Sequence, residues 1–132
     1  MAAALTFGEW LEAYGRAWLG TGKGGVAELF TEDAAYWAEP FAEPHVGHDA
    51  IHAYWYERGH YGVSGLRFGE PVAAGQRAAV EWWAVLDVEG FVSHTVSGVM
   101  NVRRAEDGRC AELRAIETRG SGERSPAEGW GT

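Results

Sequence analysis

Three side chains in this 132-residue sequence have the chemistry of a proton-transfer site. Glu39 lies between two aromatic residues and directly before a proline, where a partly desolvated carboxylate could take up and release a proton. His94 lies in an otherwise apolar run and could act as an acid or a base near neutral pH. Tyr14 could donate its hydroxyl to a substrate carbonyl. The predicted catalytic set is therefore Glu39, His94 and Tyr14.

Each of the three also has a purely structural interpretation. Glu39 could be a solvated loop acid, because carboxylates are rarely buried without a partner. His94 could be a buried histidine that is hydrogen-bonded to a neighbour, and Tyr14 could be a core tyrosine whose hydroxyl meets a backbone group. The sequence leaves both interpretations open.

Aromatic residues make up 13% of the chain and include seven tryptophans, which is more than the packing of a small core usually requires. So many rigid rings are hard to pack tightly, and several could instead form flat walls that orient a ring-shaped ligand. Two histidines could contact a ligand at the rim. The predicted ligand-binding residues are Trp18, Trp37, Phe41, Trp55, Trp83, Met100, His45 and His60.

Three histidines near the middle of the chain resemble a metal-ligand set. His48 and His52 are one helical turn apart, and His45 lies close to them in sequence. No acid in a firm ligand position and no cysteine pair completes the set, so these histidines are interpreted as helix-start or pocket-rim residues. Cys110 is interpreted as inert, because only Arg109 lies near it in sequence to stabilise a thiolate. The sequence predicts no metal and no cofactor.

A strong helix signal precedes these candidate residues. Thr6 and Glu9 have the spacing of a capping box, and Leu5 could pack against Trp10 one turn into the helix. Gly20 supplies the stop. The apolar residues recur every three or four positions and share one face: Phe7, Trp10, Leu11, Tyr14 and Trp18.

The rest of the chain predicts two more helices and then mostly strands. The second helix is short, at residues 26–30, and the third covers residues 48–58. A short strand is predicted at residues 34–37, before two prolines. Longer strand-like runs follow, separated by Gly-containing turns: residues 66–73, 77–88, 91–103 and 109–118. Helices followed by an antiparallel meander predict an α+β fold with a curved sheet.

The pairing of the two long strands decides which tryptophan faces the helices. A tight turn at residues 89–90 would pair Val85 with His94 and would place Trp83 on the same face. Trp83, His94 and Met100 would then line a pocket. Trp82 would lie on the opposite face and could join a dimer interface. A shift of one residue would reverse this assignment.

Charge and size restrict the function class. The formal net charge is −8 and no cluster of basic residues opposes it, which argues against binding to nucleic acid or to a membrane surface. A single cysteine, the absence of a signal-like N-terminus and the absence of a run of ~18 apolar residues predict a cytoplasmic protein. Residues 1–119 are predicted to form one domain, and residues 120–132 a flexible tail.

The order of these signals resembles the SnoaL-like branch of the nuclear transport factor 2-like (NTF2-like) superfamily. The resemblance covers roughly residues 6 to 119, and after the capped helix it rests on Leu29-Phe30-Thr31-Glu32-Asp33-Ala34, Glu39-Pro40-Phe41, Pro44-His45-Val46-Gly47, Ala50-Ile51, Tyr54-Trp55 and Asp107-Gly108-Arg109. It implies a cone in which a bent sheet wraps around helices and encloses an open-mouthed cavity, often in a homodimer through the outer sheet face. The superfamily includes isomerases, cyclases, hydrolases, dehydratases and binding modules, so the resemblance leaves the chemistry open.

Two members of the superfamily give more specific expectations. Ketosteroid isomerase combines a carboxylate base with an oxyanion hole made of a tyrosine and a protonated aspartate. Tyr14 matches the tyrosine and Glu39 falls near the base, but Gly98 stands where the aspartate would be. Polyketide cyclases of this branch use an acid and a histidine, for which Glu117 and His94 are residues of the right type.

These observations predict an apolar pocket for a small organic molecule. The first hypothesis is a proton-transfer enzyme, of isomerase, cyclase or dehydratase type, that acts on a carbonyl compound without a cofactor. The second is a binding module that carries or senses such a compound. The third is a dimerisation domain in which the pocket has no role.

Overall fold

The structure is a computed structural model of the 132-residue chain, and it describes residues 5–19, 25–58, 62–87 and 93–132. It has three helices, α1 (Phe7–Trp18), α2 (Gly25–Leu29) and α3 (His48–Arg58). The strands are β1 (Phe30–Trp37), β2 (His45–Val46), β3 (Gly62–Phe68), β4 (Val72–Ala74), β5 (Arg77–Asp87), β6 (His94–Arg104) and β7 (Cys110–Ser121). No helix in these ranges is long and apolar enough to cross a membrane.

The strands form one seven-stranded sheet in the order β2-β1-β7-β6-β5-β3, with β4 also paired to β5. Strand β1 runs parallel to β7, and the other neighbours are antiparallel. The register shifts within three of these pairs, and such irregularities bend a sheet. The helices cover the concave face, which confirms the predicted α+β cone.

Helix α1 begins as its sequence predicts. The backbone N–H of Glu9 donates to Thr6 Oγ1 at 3.1 Å, and the N–H of Thr6 donates to Glu9 Oε1 at 3.0 Å. The apolar face of α1 then packs onto the sheet, where the Trp10 side chain is fully buried and its indole N–H donates to the Leu29 carbonyl at 2.9 Å. This bond ties α1 to α2 and sets the helix over the concave face.

The register of β5 and β6 differs by one residue from the sequence prediction. Leu86 pairs with His94, so that even-numbered residues of both strands share the concave face. Trp82 therefore points inward, with 7% of its surface exposed, and Trp83 lies on the convex face. Strand β5 ends at Asp87 and β6 begins at His94. The turn predicted at residues 89–90 lies outside the described residues.

Two further strand boundaries differ from the prediction. The run predicted at residues 66–73 is divided into β3 and β4 around Pro71, which has no N–H for the ladder. Strand β1 begins at Phe30 rather than at residue 34, because parallel pairing with β7 starts there. That long-range pairing has no local sequence signal.

The residues after β7 lie against the convex face. The Trp83 indole N–H donates to the Arg124 carbonyl at 2.9 Å, and the rings of Trp83 and Trp130 meet edge to face at 5.8 Å. The backbone N–H of Glu70 donates to the Gly131 carbonyl at 2.6 Å. We define residues 122–132 as the C-terminal segment. These contacts attach it to β5 and to the residues that follow β3, whereas its flexibility stays a prediction.

Candidate functional site

A cavity lies between α1 and the concave face of the sheet. Its volume is about 360 Å³ when the space at its open mouth is included. Its walls approach closely, so that in this conformation the interior has room only for water-sized guests. Among the described residues, those that line it come from two helices and five strands or their ends: Tyr14, Trp18, Tyr36, Ala38, Tyr54, Leu66, Phe68, Trp82, Met100, Ala115 and Glu117.

Two tyrosine hydroxyls meet in this cavity. The hydroxyls of Tyr14 and Tyr36 are 3.1 Å apart, and both side chains are buried. Packing holds the rings in place, because Tyr14 stacks on Trp10 at 5.1 Å and meets the edge of Trp55 at 5.5 Å. Either hydroxyl can donate to the other. The pair thus places two rigidly held hydroxyl groups in an apolar wall.

One carboxylate faces the same cavity. Glu117 lies on β7 directly opposite Gly98 of β6, and its Oε2 atom is buried. A Cβ atom at position 98 would lie 2.8 Å from the Glu117 Cα and would also collide with the Ile116 carbonyl oxygen. No side chain fits there without a shift of the backbone. The ketosteroid isomerase pattern has an acid at the position of Gly98, and this chain has none there. The acid at the cavity is Glu117 of the neighbouring strand β7.

Three of the residues predicted for the site line the cavity, namely Tyr14, Trp18 and Met100. Trp18 meets Trp82 edge to face at 6.0 Å. The buried Met100 fills the wall formed by the sheet.

Two others lie immediately behind the lining. Trp55 packs on the ring of Tyr14, and its buried indole N–H has no hydrogen-bond partner within the described part of the chain. His45 stacks on Tyr54 with ring centroids 4.5 Å apart. Both residues support lining aromatics.

Three predicted site residues at the end of β1 and in the turn after it lie away from the cavity, namely Trp37, Glu39 and Phe41. Glu39 and Phe41 belong to an exposed turn after β1, and the Phe41 side chain is 100% exposed. Because side chains alternate along β1, Tyr36 points inward and Trp37 points outward, where the Arg114 guanidinium lies 4.3 Å from its ring centroid. The desolvated environment predicted for Glu39 is absent.

The remaining predicted residues are also placed elsewhere. Trp83 lies on the convex face, so its predicted place in the cavity wall is wrong, and the predicted role of Trp82 in an outer interface is wrong for the same reason. His94 is the first residue of β6 and is half-buried, beyond the cavity lining. His60 lies outside the described residues.

The sequence interpretation missed Tyr36, Tyr54, Phe68 and Trp82 as lining residues. For Tyr36 a usable signal was present, since alternation allows only one of Tyr36 and Trp37 to face inward. Tyr54 and Trp55 are adjacent on α3, and only the packing of that helix separates their roles. The position of Trp82 could be predicted only from the correct register of β5 and β6. Glu117 was considered on chemical grounds alone, without a motif to place it.

The other reactive groups have ordinary structural roles. The Nε2 atom of His48 lies 2.8 Å from the Phe30 carbonyl oxygen. This hydrogen bond connects α3 to β1. Across the ranges that the structure describes, no three His, Cys, Asp or Glu side chains are grouped as a metal ion would require. Cys110 is fully buried, and burial raises the pKa of its thiol far above the ordinary value, which supports the inert interpretation.

Comparisons with known proteins identify the fold and the family. A family model described as SnoaL-like domain matches residues 11–113. The epoxide hydrolase/cyclase-like enzyme SalBIII, of pyran ring formation in salinomycin, is 18% identical with a TM-score of 0.77, over 86% of this chain and 94% of that chain. A protein of ketosteroid isomerase-like fold from Catenulispora acidiphila, solved in complex with trimethylamine, is 16% identical with a TM-score of 0.69, over 82% and 84%.

A computationally designed binder of 17-OHP has the same architecture. It is 19% identical with a TM-score of 0.70, over 84% of this chain and 94% of that chain. Comparison with curated protein sequences finds no match. The family model covers most of the chain, so this protein belongs to the SnoaL-like family, and it has the NTF2-like fold.

Proposed function

We propose that this protein is a cofactor-independent proton-transfer enzyme, of isomerase, cyclase or dehydratase type, that acts on a small carbonyl compound. The walls of the cavity have to move apart to admit such a compound. The observation that carries the proposal is the presence of the Tyr14–Tyr36 hydroxyl pair and the Glu117 carboxylate in one otherwise apolar cavity. Glu117 would move the proton, and the tyrosine pair would bind the carbonyl oxygen.

The division of roles follows from the chemistry of the two groups. A carboxylate can take a proton from the carbon next to a carbonyl, and the electron pair of the broken C–H bond then moves toward the carbonyl oxygen. Hydroxyl donors that are already oriented stabilise the charge that develops on that oxygen. The protonated Glu117 can return the proton to a different carbon, which completes an isomerisation with all atoms and electrons conserved.

The aromatic walls support this chemistry by excluding water. In a water-poor cavity, hydrogen bonds from fixed donors to a developing oxyanion are stronger than in bulk solvent. Glu39 and His94 are the two proton-transfer groups expected from the sequence, and both lie outside the lining. The proposal therefore assigns the base to Glu117 rather than to either of them.

The test measures hydrogen–deuterium exchange at the α-carbon of cyclic β,γ-unsaturated ketones by proton NMR, together with their isomerisation. We expect the wild type to accelerate exchange for at least one ketone of a size series. The variant Glu117→Gln should lower the rate by about 100-fold or more, and Tyr14→Phe by about 10- to 100-fold. Glu81→Gln is the matched control, because Glu81 is an exposed carboxylate on the opposite face of the sheet.

Two results would contradict the proposal. One is exchange in the wild type that Glu117→Gln leaves unchanged. The other is the absence of exchange across the whole ketone series although one of the ketones binds, as shown by tryptophan fluorescence. The second result would favour a binding module.

A binding module is the second candidate, and the near-complete apolar lining of the cavity favours it. The designed 17-OHP binder is evidence that a fold of this kind can bind a small molecule. This candidate expects affinity to fall in Trp82→Leu without any turnover to lose. Trp83→Ala should leave affinity unchanged, because Trp83 is outside the cavity.

A further inference from the structure

A second depression lies on the convex face, at the end of the sheet where β5 begins and β6 ends. Its volume is about 510 Å³ when the space at its open mouth is included. Unlike the cavity on the concave side, it has room in this conformation for a guest larger than water. Among the described residues, those that line it are Arg77, Asn101, Val102, Arg103, Glu112 and Arg114.

The charge of this depression is opposite in sign to that of the whole protein. Three guanidinium groups and one carboxylate give the lining a formal charge of +2, whereas the chain has a formal charge of −8. The hydrogen bond to Glu112 raises the pKa of Arg103, and Asp33, which lies outside the lining, adds to the rise. Positive charge remains in excess even when Asp33 is counted.

The carboxylate in the lining already has two arginine partners. The Nη2 atom of Arg103 lies 2.9 Å from Glu112 Oε1, and the Nη1 atom of Arg114 lies 3.1 Å from Glu112 Oε2. The hydrogen bond from Arg103 lowers the pKa of Glu112, so the carboxylate keeps its charge. Each carboxylate oxygen of Glu112 therefore serves one arginine, and Arg77 forms no ion pair with it.

Arg77 has no ion pair with any residue in the described part of the chain. It is the cross-strand partner of Arg103, and both side chains project from the convex face. Like charges that lie directly opposite each other destabilise a sheet. An oxyanion between the two guanidinium groups would offset this repulsion and would accept hydrogen bonds from both. Asn101, on the same face of β6, would add an uncharged amide donor.

We propose that the depression binds a phosphoryl group, as the phosphate ion or as a phosphate monoester, between the guanidinium groups of Arg77 and Arg103. A tetrahedral phosphoryl group presents oxygens in several directions, and the donors reach this space from two strands, β5 and β6. A planar carboxylate has only two oxygens, which a single guanidinium can occupy. The proposal goes beyond proton transfer, because it concerns a second site on the opposite face of the sheet and requires no turnover.

The experiment measures anion binding to the wild-type protein at low ionic strength. Inorganic phosphate, glycerol 3-phosphate and the dicarboxylate succinate are titrated and followed by isothermal calorimetry, and phosphorus NMR follows the two phosphates. We expect both phosphates to bind with a Kd of about 1 mM or below and about fivefold or more tightly than succinate. Binding should weaken by about tenfold in ~0.5 M sodium chloride. Tighter binding of glycerol 3-phosphate would identify a phosphate ester as the ligand, and equal binding would identify the free ion.

Variants then locate the site. Arg77→Gln should weaken phosphate binding by about tenfold, and Arg77→Lys by less, because lysine retains the charge but lacks the planar fork. Arg119→Gln is the matched control, since Arg119 is an exposed arginine of β7 outside the depression, and it should change the affinity by less than about twofold.

Thermal unfolding separates a ligand site from a structural role of Arg77. Without phosphate, Arg77→Gln should unfold at the same temperature as the wild type or at a higher one, because the variant removes the opposed charges. Phosphate should raise the Tm of the wild type and leave that of Arg77→Gln unchanged.

Three results would overturn the inference: no saturable binding of either phosphate below about 10 mM, binding of succinate as tight as that of phosphate, or equal losses in Arg77→Gln and Arg119→Gln. The first two are measured on the wild type and do not depend on whether a variant folds. All three are independent of the ketone exchange assay, which Arg77→Gln should leave unchanged. A wild type that exchanges ketone protons but binds no phosphate would retain the proposed function and refute this site.

Discussion

At the residue scale, the close approach of β6 and β7 depends on a position that has no side chain. Gly98 lies between Trp82 and Glu117, and its neighbouring strand comes so close that even a methyl group would meet the backbone of β7. The same glycine explains why the aspartate of the ketosteroid isomerase pattern is missing. The acid at the cavity belongs to β7 because the backbone leaves no room for one on β6.

We expect Gly98→Ala to destabilise the protein by about 1–3 kcal/mol, since the added Cβ forces β6 and β7 apart. Gly65→Ala in β3 is the matched control, because a Cβ there meets nothing within 4 Å, and it should change stability by less than about 0.5 kcal/mol. Urea unfolding followed by tryptophan fluorescence measures both. Equal stability of the two variants would show that the close approach at Gly98 is easily relieved.

The buried thiol predicts a pH dependence of stability. Burial raises the pKa of Cys110 above its value in the unfolded chain, so the folded state keeps the proton while the unfolded state loses it as the pH rises past about 8.5. The free energy of unfolding should therefore fall above that pH, by up to about 1.4 kcal/mol per pH unit from this group. Below about pH 8 the contribution is fully present.

Denaturant unfolding of the wild type and Cys110→Ala between about pH 7 and 10 measures this contribution as a difference in slope. We expect the variant to start from a lower stability, because it loses a buried side chain, but to show a shallower decline. Parallel curves would mean that the thiol ionises in the folded protein. In that case Cys110 should also react with a thiol reagent without denaturant.

At the scale of elements, the C-terminal segment has a definite place on the sheet. Trp130 packs on Trp83, and its ring centroid lies 5.7 Å from the Arg67 guanidinium carbon. The backbones of Gly69 and Gly131 approach so closely that a Cβ atom on Gly69 would collide with Gly131. The segment thus covers the tryptophan that the sequence placed in the cavity. Trp83 keeps an aromatic partner, but on the convex face.

We expect Trp130→Ala to lower stability by about 1–2 kcal/mol, because Trp83 loses its ring contact and gains exposure to water. Phe41→Ala, which removes a fully exposed ring, should be neutral to within about 0.5 kcal/mol. Thermal unfolding measures the difference, and a red shift of fluorescence in Trp130→Ala would report the exposed indole. Two equally stable variants would indicate that the segment leaves the sheet in solution.

At the scale of the whole molecule, the convex face has apolar residues that are still exposed. Val99 and Ile116 are cross-strand partners there, with 36% and 56% of their surfaces exposed. Close to them, Arg103 and Arg114 form ion pairs with Glu112. We propose that this face carries the homodimer that the family resemblance implies.

Light scattering after gel filtration at micromolar concentration tests the proposal. We expect a dimer for the wild type and a monomer for Ile116→Glu, since a buried carboxylate without a partner would oppose association. Val72→Glu is the matched control on the edge strand β4, where Val72 is 73% exposed, and it should remain dimeric. A monomeric wild type would refute the dimer and with it the dimerisation-only function.

Local chemistry in the sequence determined much of this protein. The capping box of Thr6 and Glu9, the apolar periodicity of α1 and the order of later motifs were sufficient to predict the first helix, the α+β class and the SnoaL-like family. Tyr14 was placed correctly because its helix face depends only on spacing within one helix. These features are local, and the residues that specify them are close together in the chain.

The identity of the cavity wall was decided by tertiary structure. A one-residue shift between β5 and β6 exchanges Trp82 for Trp83, and the alternating pattern of the two strands is compatible with either register. Glu117 reaches the cavity because β7 pairs with both β6 and β1, and pairings between distant strands depend on the packing of the whole sheet. The sequence therefore indicated the kinds of residue that a site needs. The register of the sheet determined which of these residues lie together at the cavity.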